Sequence, residues 1–271
     1  MPGILTFALH YEGQINKNSQ GAVSEAAKLS QQLGTECHAV VVGEGISDDA
    51  AASLGNFGAT KVFRVNAPEG LAQPVVDAMG HLFEANGYDY ALFGGGLLGF
   101  EVGAGLAARL NAGVTMEVTQ VNVVDGKLTA ERPILGDSSI STSSYKDRGI
   151  IIGRLNAFEI AESGGGAAEV VDVDVPLSEH AKAATMVQRG EQRGADVNIE
   201  DANVLVAGGR GLGKAEGFQL CEELATALGG AVAATRAVVD AGCGDWEYAL
   251  APAIVKCVAL GLAHTVGVKA H

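Results

Sequence analysis

The hydrophobic residues of this chain fall in short continuous runs separated by segments with helical periodicity. Residues 4–9 and 38–43 are apolar at nearly every position, which is typical of strands buried on both faces of a parallel sheet. Between them, residues 21–34 carry apolar side chains at the spacing of one helix face and end in Gly34. The first part of the chain is therefore predicted to form a β-α-β unit.

The same alternation continues along the chain. Further strands are predicted at residues 61–65, 90–93 and 114–121, with helices at 71–85 and 99–110 between them. Alternating strands and helices imply right-handed crossovers and a mostly parallel sheet. From residue 121 the pattern changes, with a hairpin signal at Asp125-Gly126, strands at 150–152 and 170–175, and a glycine loop at 164–166.

A polar, glycine-bearing segment at residues 188–196 is the best candidate for a linker. After it, strands are predicted at 204–207 and 231–234, and helices at 218–228 and 253–262. We therefore predict an α/β protein of two domains. A parallel-sheet, Rossmann-like domain covers residues 1–190, and a smaller flavodoxin- or Rossmann-like domain covers residues 191–271.

Composition narrows the classes of function. Hydrophobic residues make up 48% of the 271 and charged residues 18%, which supplies a core and argues against disorder. The net charge of −14 disfavours binding to nucleic acid and to anionic membranes. The sequence contains neither an apolar run of membrane-spanning length nor a targeting segment, so we expect a cytoplasmic protein without direct membrane insertion.

The segment Gly208-Gly209-Arg210-Gly211 carries the most informative chemistry. It lies between a predicted strand and a predicted helix, where backbone amides converge on a ligand at the carboxyl end of a parallel strand. The guanidinium of Arg210 suits a diphosphate or a flavin edge. The segment matches neither a P-loop nor GxGxxG, and a glycine turn with one solvated arginine is the alternative interpretation.

A second pair of polar residues follows the next predicted strand. Thr235 offers a hydroxyl and Arg236 a guanidinium, where a second loop is expected to face the same crevice. Two neighbouring strand ends that each bear an arginine favour a site for an anionic cofactor. The alternative is a salt bridge between Arg236 and a nearby carboxylate.

These features carry a resemblance to a known family. Residues 204–242 closely resemble the start of the C-terminal domain of electron-transfer flavoprotein α subunits, with a GGRG loop, a helix, a Thr-Arg pair and a V-D-A-G run. The segments FGATKVFRV, GFEVGAGLAARLNAG and RPILGDSSI also fall in the order of that family. The resemblance covers the whole chain.

The resemblance implies an electron carrier rather than a catalyst with its own substrate. It implies FAD in the C-terminal domain, pairing of the N-terminal domain with a β-type subunit, dehydrogenases as donors and a quinone-reductase-type acceptor. By the same resemblance, the loop of Arg210 and Gly211 lies beside the cofactor. Thr235 contacts it through its hydroxyl, Arg236 lies over the isoalloxazine, and His264 approaches the flavin O2 side.

Two departures from the family pattern keep a second hypothesis open. Residues 243–252, CGDWEYALAP, replace a Q-x-G-Q-T-G-type segment, and the chain stops at His271, about where the family enters a further strand. The alternative is a non-redox scaffold or nucleotide-binding relative that has lost the flavin.

Other candidates are weaker. The histidines and the serine-rich segment 138–144 show neither metal-ligand spacing nor a G-x-S-x-G elbow, so we predict no metal site, no catalytic residues and a solvated polar loop at 138–144. Cys243 lies in the segment that departs from the family pattern; we expect a small buried or half-exposed cysteine, and a reactive thiol is the alternative. The three glycines at 94–96 either approach a ligand or partner, or simply form the turn that enters a helix.

Overall fold

The computed structural model describes residues 2–11, 13–187, 204–212, 215–234 and 256–260. The chain divides into two compact units, Met1–Gln188 and Arg189–His271. Both units are α/β, the first with a large parallel sheet, which confirms the predicted fold class.

The first unit alternates strands and helices along most of its length. Its strands are β1 (Pro2–Phe7), β2 (His10–Tyr11), β3 (Gln14–Ile15), β4 (Glu36–Val42), β5 (Lys61–Val65), β6 (Tyr90–Phe93), β7 (Gly113–Val118), β8 (Gln120–Val124), β9 (Lys127–Ile134), β10 (Ser139–Ser144), β11 (Gly149–Gly153) and β12 (Glu169–Asp172). Its helices are α1 (Lys17–Leu33), α2 (Asp48–Ala52), α3 (Ala72–Asn86), α4 (Leu97–Leu110) and α5 (Glu179–Lys182). A 3-10 helix, Ser53–Phe57, follows α2.

Seven of these strands form one parallel sheet in the order β12-β5-β4-β1-β6-β11-β7. The strand side chains alternate between two apolar layers. Leu5 and Phe7 belong to the layer that contains residues of α3 and α4, whereas Ile4 belongs to a cluster on α1. The sheet is covered on both faces, as the continuous apolar runs predicted.

The predicted strand at residues 114–121 is two strands. β7 ends at Val118 and β8 begins at Gln120, where the chain leaves the parallel sheet for a three-stranded antiparallel one in the order β10-β9-β8. Glu117 has a φ of +59° just before this break. A local backbone turn of this kind does not change the spacing of apolar residues, so hydrophobic periodicity does not predict it.

The antiparallel sheet confirms one prediction and corrects another. Asp125 and Gly126, with φ of +51° and +73°, make the predicted hairpin turn between β8 and β9. The segment predicted as a solvated loop, residues 138–144, contains the edge strand β10. Most of this strand is exposed, which is why it carries polar residues such as serine. Polar composition alone does not distinguish an exposed edge strand from a loop.

The second unit is a smaller parallel sheet. It comprises β13 (Val204–Gly208), α6 (Phe218–Leu228), β14 (Ala231–Ala234) and β15 (Lys256–Leu260), with strand order β14-β13-β15. Two 3-10 turns, Arg210–Leu212 and Ala215–Gly217, connect β13 to α6.

The helix predicted at residues 253–262 is wrong, because residues 256–260 form the parallel strand β15. A short apolar run suits a buried strand and a buried helix equally well, and only pairing with β13 decides between them.

Within the described ranges, no helix is both long enough and apolar enough to span a bilayer.

Candidate functional site

The carboxyl ends of the three strands of the second unit lie at one edge of their sheet. Gly208, the last residue of β13, is in register with Ala234 of β14 and with Leu260 of β15. The chain runs from central β13 out to β14 and then to β15 on the opposite side of β13, so the direction of crossover reverses beside β13. In open α/β sheets, ligands bind at the carboxyl edge where this reversal occurs.

Gly208 is required at this edge by packing within the chain. A Cβ on Gly208 would lie 2.4 Å from Phe218 Cε1 and 2.7 Å from Leu212 Cδ1. Phe218 is the first residue of α6 and is buried. The absence of a side chain on Gly208 thus lets the start of the helix lie close to the end of the strand, which is one of the roles of glycine in dinucleotide-binding turns.

The turn that follows β13 brings the conspicuous loop to the same edge. The Leu212 amide donates a hydrogen bond to the Gly209 carbonyl oxygen at 3.1 Å, which closes the 3-10 turn around Arg210 and Gly211. Gly209 is buried, whereas Gly211 is exposed. The loop therefore presents its backbone at the carboxyl edge beyond Gly208.

The amino terminus of α6 favours an anion. Its N-cap is Gly217, and no side chain among the described residues caps the helix there; the 3-10 turn Ala215–Gly217, which carries the exposed Glu216, directly precedes it. The first amides of a helix lack intrahelical partners and lie at the positive end of its dipole. Phosphate groups commonly bind at such a terminus.

The structure describes only some of the predicted site residues. Arg210 and Gly211 lie in the turn at the carboxyl end of β13. Thr235, Arg236 and His264 lie outside the described residues, so the convergence of the two arginines on one ligand stays a prediction. The helix predicted at residues 253–262, just before His264, is corrected because residues 256–260 belong to β15.

Residues that sequence reasoning did not select also shape this site. Phe218, Leu212 and Gly217 determine the course of the loop, since a Cβ on Gly217 would lie 2.7 Å from the Leu212 carbonyl oxygen. The signal in the sequence is a large apolar residue at the first position of a helix that follows a glycine loop.

The glycines at 94–96 at the carboxyl end of β6 serve contacts within the first unit. A Cβ on Gly94 would lie 2.5 Å from the Asn18 carbonyl oxygen, and one on Gly95 would lie 2.3 Å from the Leu155 nitrogen. The Asn156 amide donates to Asn18 Oδ1 at 2.7 Å beside them. With Gly96 as the N-cap of α4, this arrangement favours the helix-entry interpretation.

Potential metal ligands do not cluster in the part of the chain that the structure describes. There, no group of three or more His, Cys, Asp or Glu residues is arranged to hold a metal ion. The prediction of a site without metal is thus not contradicted by the described residues.

Comparison with known proteins agrees with this architecture. The electron transfer flavoprotein domain matches residues 4–178, and the electron transfer flavoprotein FAD-binding domain matches residues 198–251. The second match includes the carboxyl ends of β13 and β14 and the loop described above, together with Thr235 and Arg236.

Individual relatives give the same result. The chain is 33% identical over 248 residues to electron transfer flavoprotein subunit alpha of Mycobacterium leprae, a match covering 89% of this chain and 75% of the relative. It is 32% identical over 254 residues to the Megasphaera elsdenii subunit alpha (89% and 74%), and 31% identical over 251 residues to protein FixB of Clostridium saccharobutylicum (89% and 73%). The chain belongs to the electron transfer flavoprotein α-subunit family.

Proposed function

We propose that this chain is the flavin-carrying α subunit of an electron transfer flavoprotein. In this proposal it forms a heterodimer with a β-type subunit, accepts electrons from dehydrogenases and passes them to a quinone-reductase-type acceptor. Residues 1–190 form the domain that binds the partner, and residues 191–271 form the domain that binds FAD. The main support is that the FAD-binding family model covers the GGRG loop at the carboxyl edge of the second sheet.

The described residues of the second unit suit a dinucleotide. The exposed backbone at Gly211 and the positive dipole end of α6 favour the diphosphate, while packing of Phe218 against Gly208 holds this loop to the sheet. When bound, FAD supplies the capacity to accept and release electrons one or two at a time. The protein supplies placement of the cofactor and its electrostatic surroundings.

In this proposal the basic and hydroxyl side chains have different roles at the cofactor. Arg210 neutralises negative charge beside the loop, and Arg236 lies over the isoalloxazine, where its positive charge favours reduced forms of the ring. The Thr235 hydroxyl and the His264 imidazole hydrogen-bond to the cofactor. The chain has a net charge of −14. The positive electrostatic potential near these arginines is therefore opposite in sign to that expected for the protein as a whole.

The partner-binding role of the first unit is supported by exposed apolar side chains. Two of them, Val114 and Met116, lie on β7, an outer strand of the parallel sheet. Others lie on the antiparallel sheet and its turn: Val124, Leu135 and Ile140. Leu135 and Ile140 lie at the same end of this sheet, because Ile140 is in register with Pro133, and neighbouring exposed apolar side chains favour a protein interface.

The test is FAD binding to the complex of this chain with the β-type subunit of the same organism. The purified complex is expected to carry flavin absorbance or to take up added FAD. Arg236→Ala should weaken FAD affinity about tenfold and Arg236→Lys less, because a charged hydrogen bond is lost in the first and a charge is kept in the second. Arg148→Ala, which removes a cation from the first unit, is the control.

Two results would contradict the proposal. One is a folded complex that takes up no FAD at any concentration tested. The other is an Arg236→Ala variant whose FAD affinity equals that of the wild type, which would remove this guanidinium from the site.

A further inference from the structure

The sheet of the first unit has its own reversal of crossover direction. The chain runs from β1 to β4 and β5 on one side, and then to β6 on the other side of β1. In open α/β sheets, the carboxyl edge beside such a reversal is where ligands bind. His10 lies three positions beyond Phe7, the last residue of β1, so it belongs to the segment that leaves β1 at this edge.

The imidazole of His10 is buried without a hydrogen bond. The residue is 1% exposed, and neither Nδ1 nor Nε2 has a hydrogen-bond partner among the described residues. Burial of an unpaired polar group is unfavourable, because its hydrogen bonds to water are lost and not replaced. Such groups are rare in native proteins, so this one indicates a partner that comes from outside the described residues.

Glycines bring the neighbouring loops close to this ring. A Cβ on Gly43, the residue after β4, would lie 2.6 Å from His10 Nε2, so position 43 leaves room for the ring only as glycine. A Cβ on Gly13, in the turn of the β2-β3 hairpin, would lie 3.8 Å from the Gly45 carbonyl oxygen. The Nε2 edge of the ring therefore faces the end of β4, and the hairpin turn lies beside the turn that follows β4.

The start of α1 lies at the same edge and favours an anion. The Leu9 amide donates to Ser19 Oγ at 3.0 Å, and the Asn16 amide donates to the Leu9 carbonyl oxygen at 2.9 Å. These bonds hold the first turn of the helix against the residue that precedes His10. That turn carries Lys17 and no acidic residue, and its N-cap Asn16 is neutral. The positive end of the helix dipole is therefore not balanced by a carboxylate in this turn.

One carboxylate side chain lies beside the imidazole. Glu69 Cγ is 3.3 Å from the position of a Cβ on Gly43, the same position that is 2.6 Å from His10 Nε2. The Glu69 side chain is half-buried, so it can rotate toward solvent without movement of the backbone. Such a rotation gives access to the ring and takes a negative charge away from it.

We propose that the edge formed by His10, Gly43 and the start of α1 binds a phosphate group, with His10 donating a hydrogen bond to a phosphate oxygen while Glu69 is rotated away. A phosphate suits the positive end of α1. A metal ion does not suit this edge, because no group of three His, Cys, Asp or Glu residues in the described part of the chain is arranged to hold one. The phosphate is either free or the monoester of a small molecule, since both present the same oxygens.

The effect of Glu69 distinguishes an anion from a cation. Glu69→Gln removes a negative charge next to the site, so the affinity for inorganic phosphate should rise about threefold. A cation would instead bind more weakly to this variant. Glu84→Gln is the matched control, because it changes the net charge equally at an exposed position of α3 and should leave the affinity unchanged.

His10→Leu removes the proposed donor. The affinity for phosphate should fall at least about tenfold, because the hydrogen bond to the anion is lost. The variant should unfold at the same temperature as the wild type or at a higher one, because the unpaired nitrogens are replaced by apolar atoms. His10→Gln, which keeps a donor, should retain part of the affinity. His180→Leu, at an exposed histidine of the same unit, is the control.

Affinity is measured by calorimetry of the full chain with inorganic phosphate and with ribose 5-phosphate. Excess FAD is present in both titrations, so that the candidate cofactor loop of the second unit does not compete for phosphate. Hydrogen exchange of residues 8–20 and 43–46, compared with and without phosphate, locates the site. Tighter binding of ribose 5-phosphate identifies a phosphomonoester as the ligand, and equal binding identifies free phosphate.

Four results overturn the inference: no phosphate binding by the wild type at millimolar concentration, unchanged exchange in both segments, wild-type affinity in His10→Leu, or weaker binding by Glu69→Gln. If His10→Leu does not fold, the comparison of Glu69→Gln with Glu84→Gln decides. The site lies in the first unit, so its failure leaves the proposed binding of FAD by the second unit untouched.

Discussion

The ring of Phe218 lies against the backbone of Gly208, so close that a Cβ on Gly208 would come within 2.4 Å of Phe218 Cε1. This contact joins the end of β13 to the start of α6. It thereby sets the path of the loop that carries Arg210 and Gly211. The packing of the second unit and the geometry of its candidate cofactor loop thus both depend on position 208 being glycine.

Gly208→Ala should destabilise the second unit by about 1–3 kcal/mol, the usual cost of overpacking a core. The single tryptophan, Trp246, belongs to residues 189–271, so its fluorescence in urea unfolding reports on this unit. FAD affinity of the complex should fall as well, because Phe218 or the loop must move. Thr226→Ala, at an exposed position of α6 in the same unit, is the control. Equal stability of the two variants would show that the contact with Phe218 is easily relieved.

A buried carboxylate stabilises the first unit. Asp77 on α3 is 2% exposed and accepts hydrogen bonds from Arg109 Nη1 and from the Ser178 amide, both at 2.8 Å. Gly80 leaves room for this arginine, because a Cβ there would lie 2.3 Å from Arg109 Nε. The pair connects α3 to α4 and to the segment that precedes α5.

Asp77→Ala should lower the free energy of unfolding of the first unit by about 2–3 kcal/mol. The substitution leaves a partly buried guanidinium and a backbone amide without their acceptor, and the partial exposure of Arg109 keeps the loss below that of a fully buried pair. Denaturant unfolding followed by circular dichroism measures the change. Glu84→Ala, at an exposed position of the same helix, should change it by less than about 0.5 kcal/mol. A loss as small for Asp77→Ala would contradict the stabilising role.

The buried imidazole of His38 makes stability depend on pH. Its Nδ1 lies 2.6 Å from the Tyr88 hydroxyl oxygen, and burial lowers its pKa despite the opposing effect of Glu36. The folded protein therefore keeps His38 neutral at a pH where the unfolded chain, with an ordinary histidine pKa near 6.5, binds a proton. Because the unfolded state binds more protons, stability should fall as pH decreases below about 6.5.

The His38 contribution to this slope should not exceed about 1.4 kcal/mol per pH unit, the limit for one proton. Unfolding free energies of the wild type and of His38→Gln, measured between pH 5 and 8, isolate it as a difference in slope. The exposed His180 provides the comparison variant His180→Gln. If His38→Gln and the wild type lose stability in parallel, proton uptake by this histidine is not the cause.

Hydrophobic periodicity predicted most of the elements because the core is layered. Strands at 61–65 and 90–93 and the helix at 218–228 match the structure to the residue. The two strands are short apolar runs that are largely buried, whereas the helix is buried at residues 218, 221 and 225, with the period of a helix. Periodicity failed at residues 256–260 and 138–144, where a short apolar run and an exposed edge strand carry no distinctive period.

For the candidate site, the glycines and arginines of the second unit were visible as motifs. The roles of Phe218 and Leu212 were not, because a close approach between strand and helix follows from three-dimensional packing. The contacts of Arg154 are similar: Glu117 and Asp137 lie 37 and 17 positions away, a separation that no local pattern encodes.

By itself the sequence determined the α/β class, the place of the glycine loop between strand and helix, and membership in a family, because these depend on local runs and motifs. Only the tertiary structure decided the strand order that places the crossover reversal beside β13, and the ion pairs that Arg154 forms with Glu117 and Asp137. Both depend on contacts between segments that are distant in the sequence. Such contacts form, and stabilise the protein, only when the chain folds.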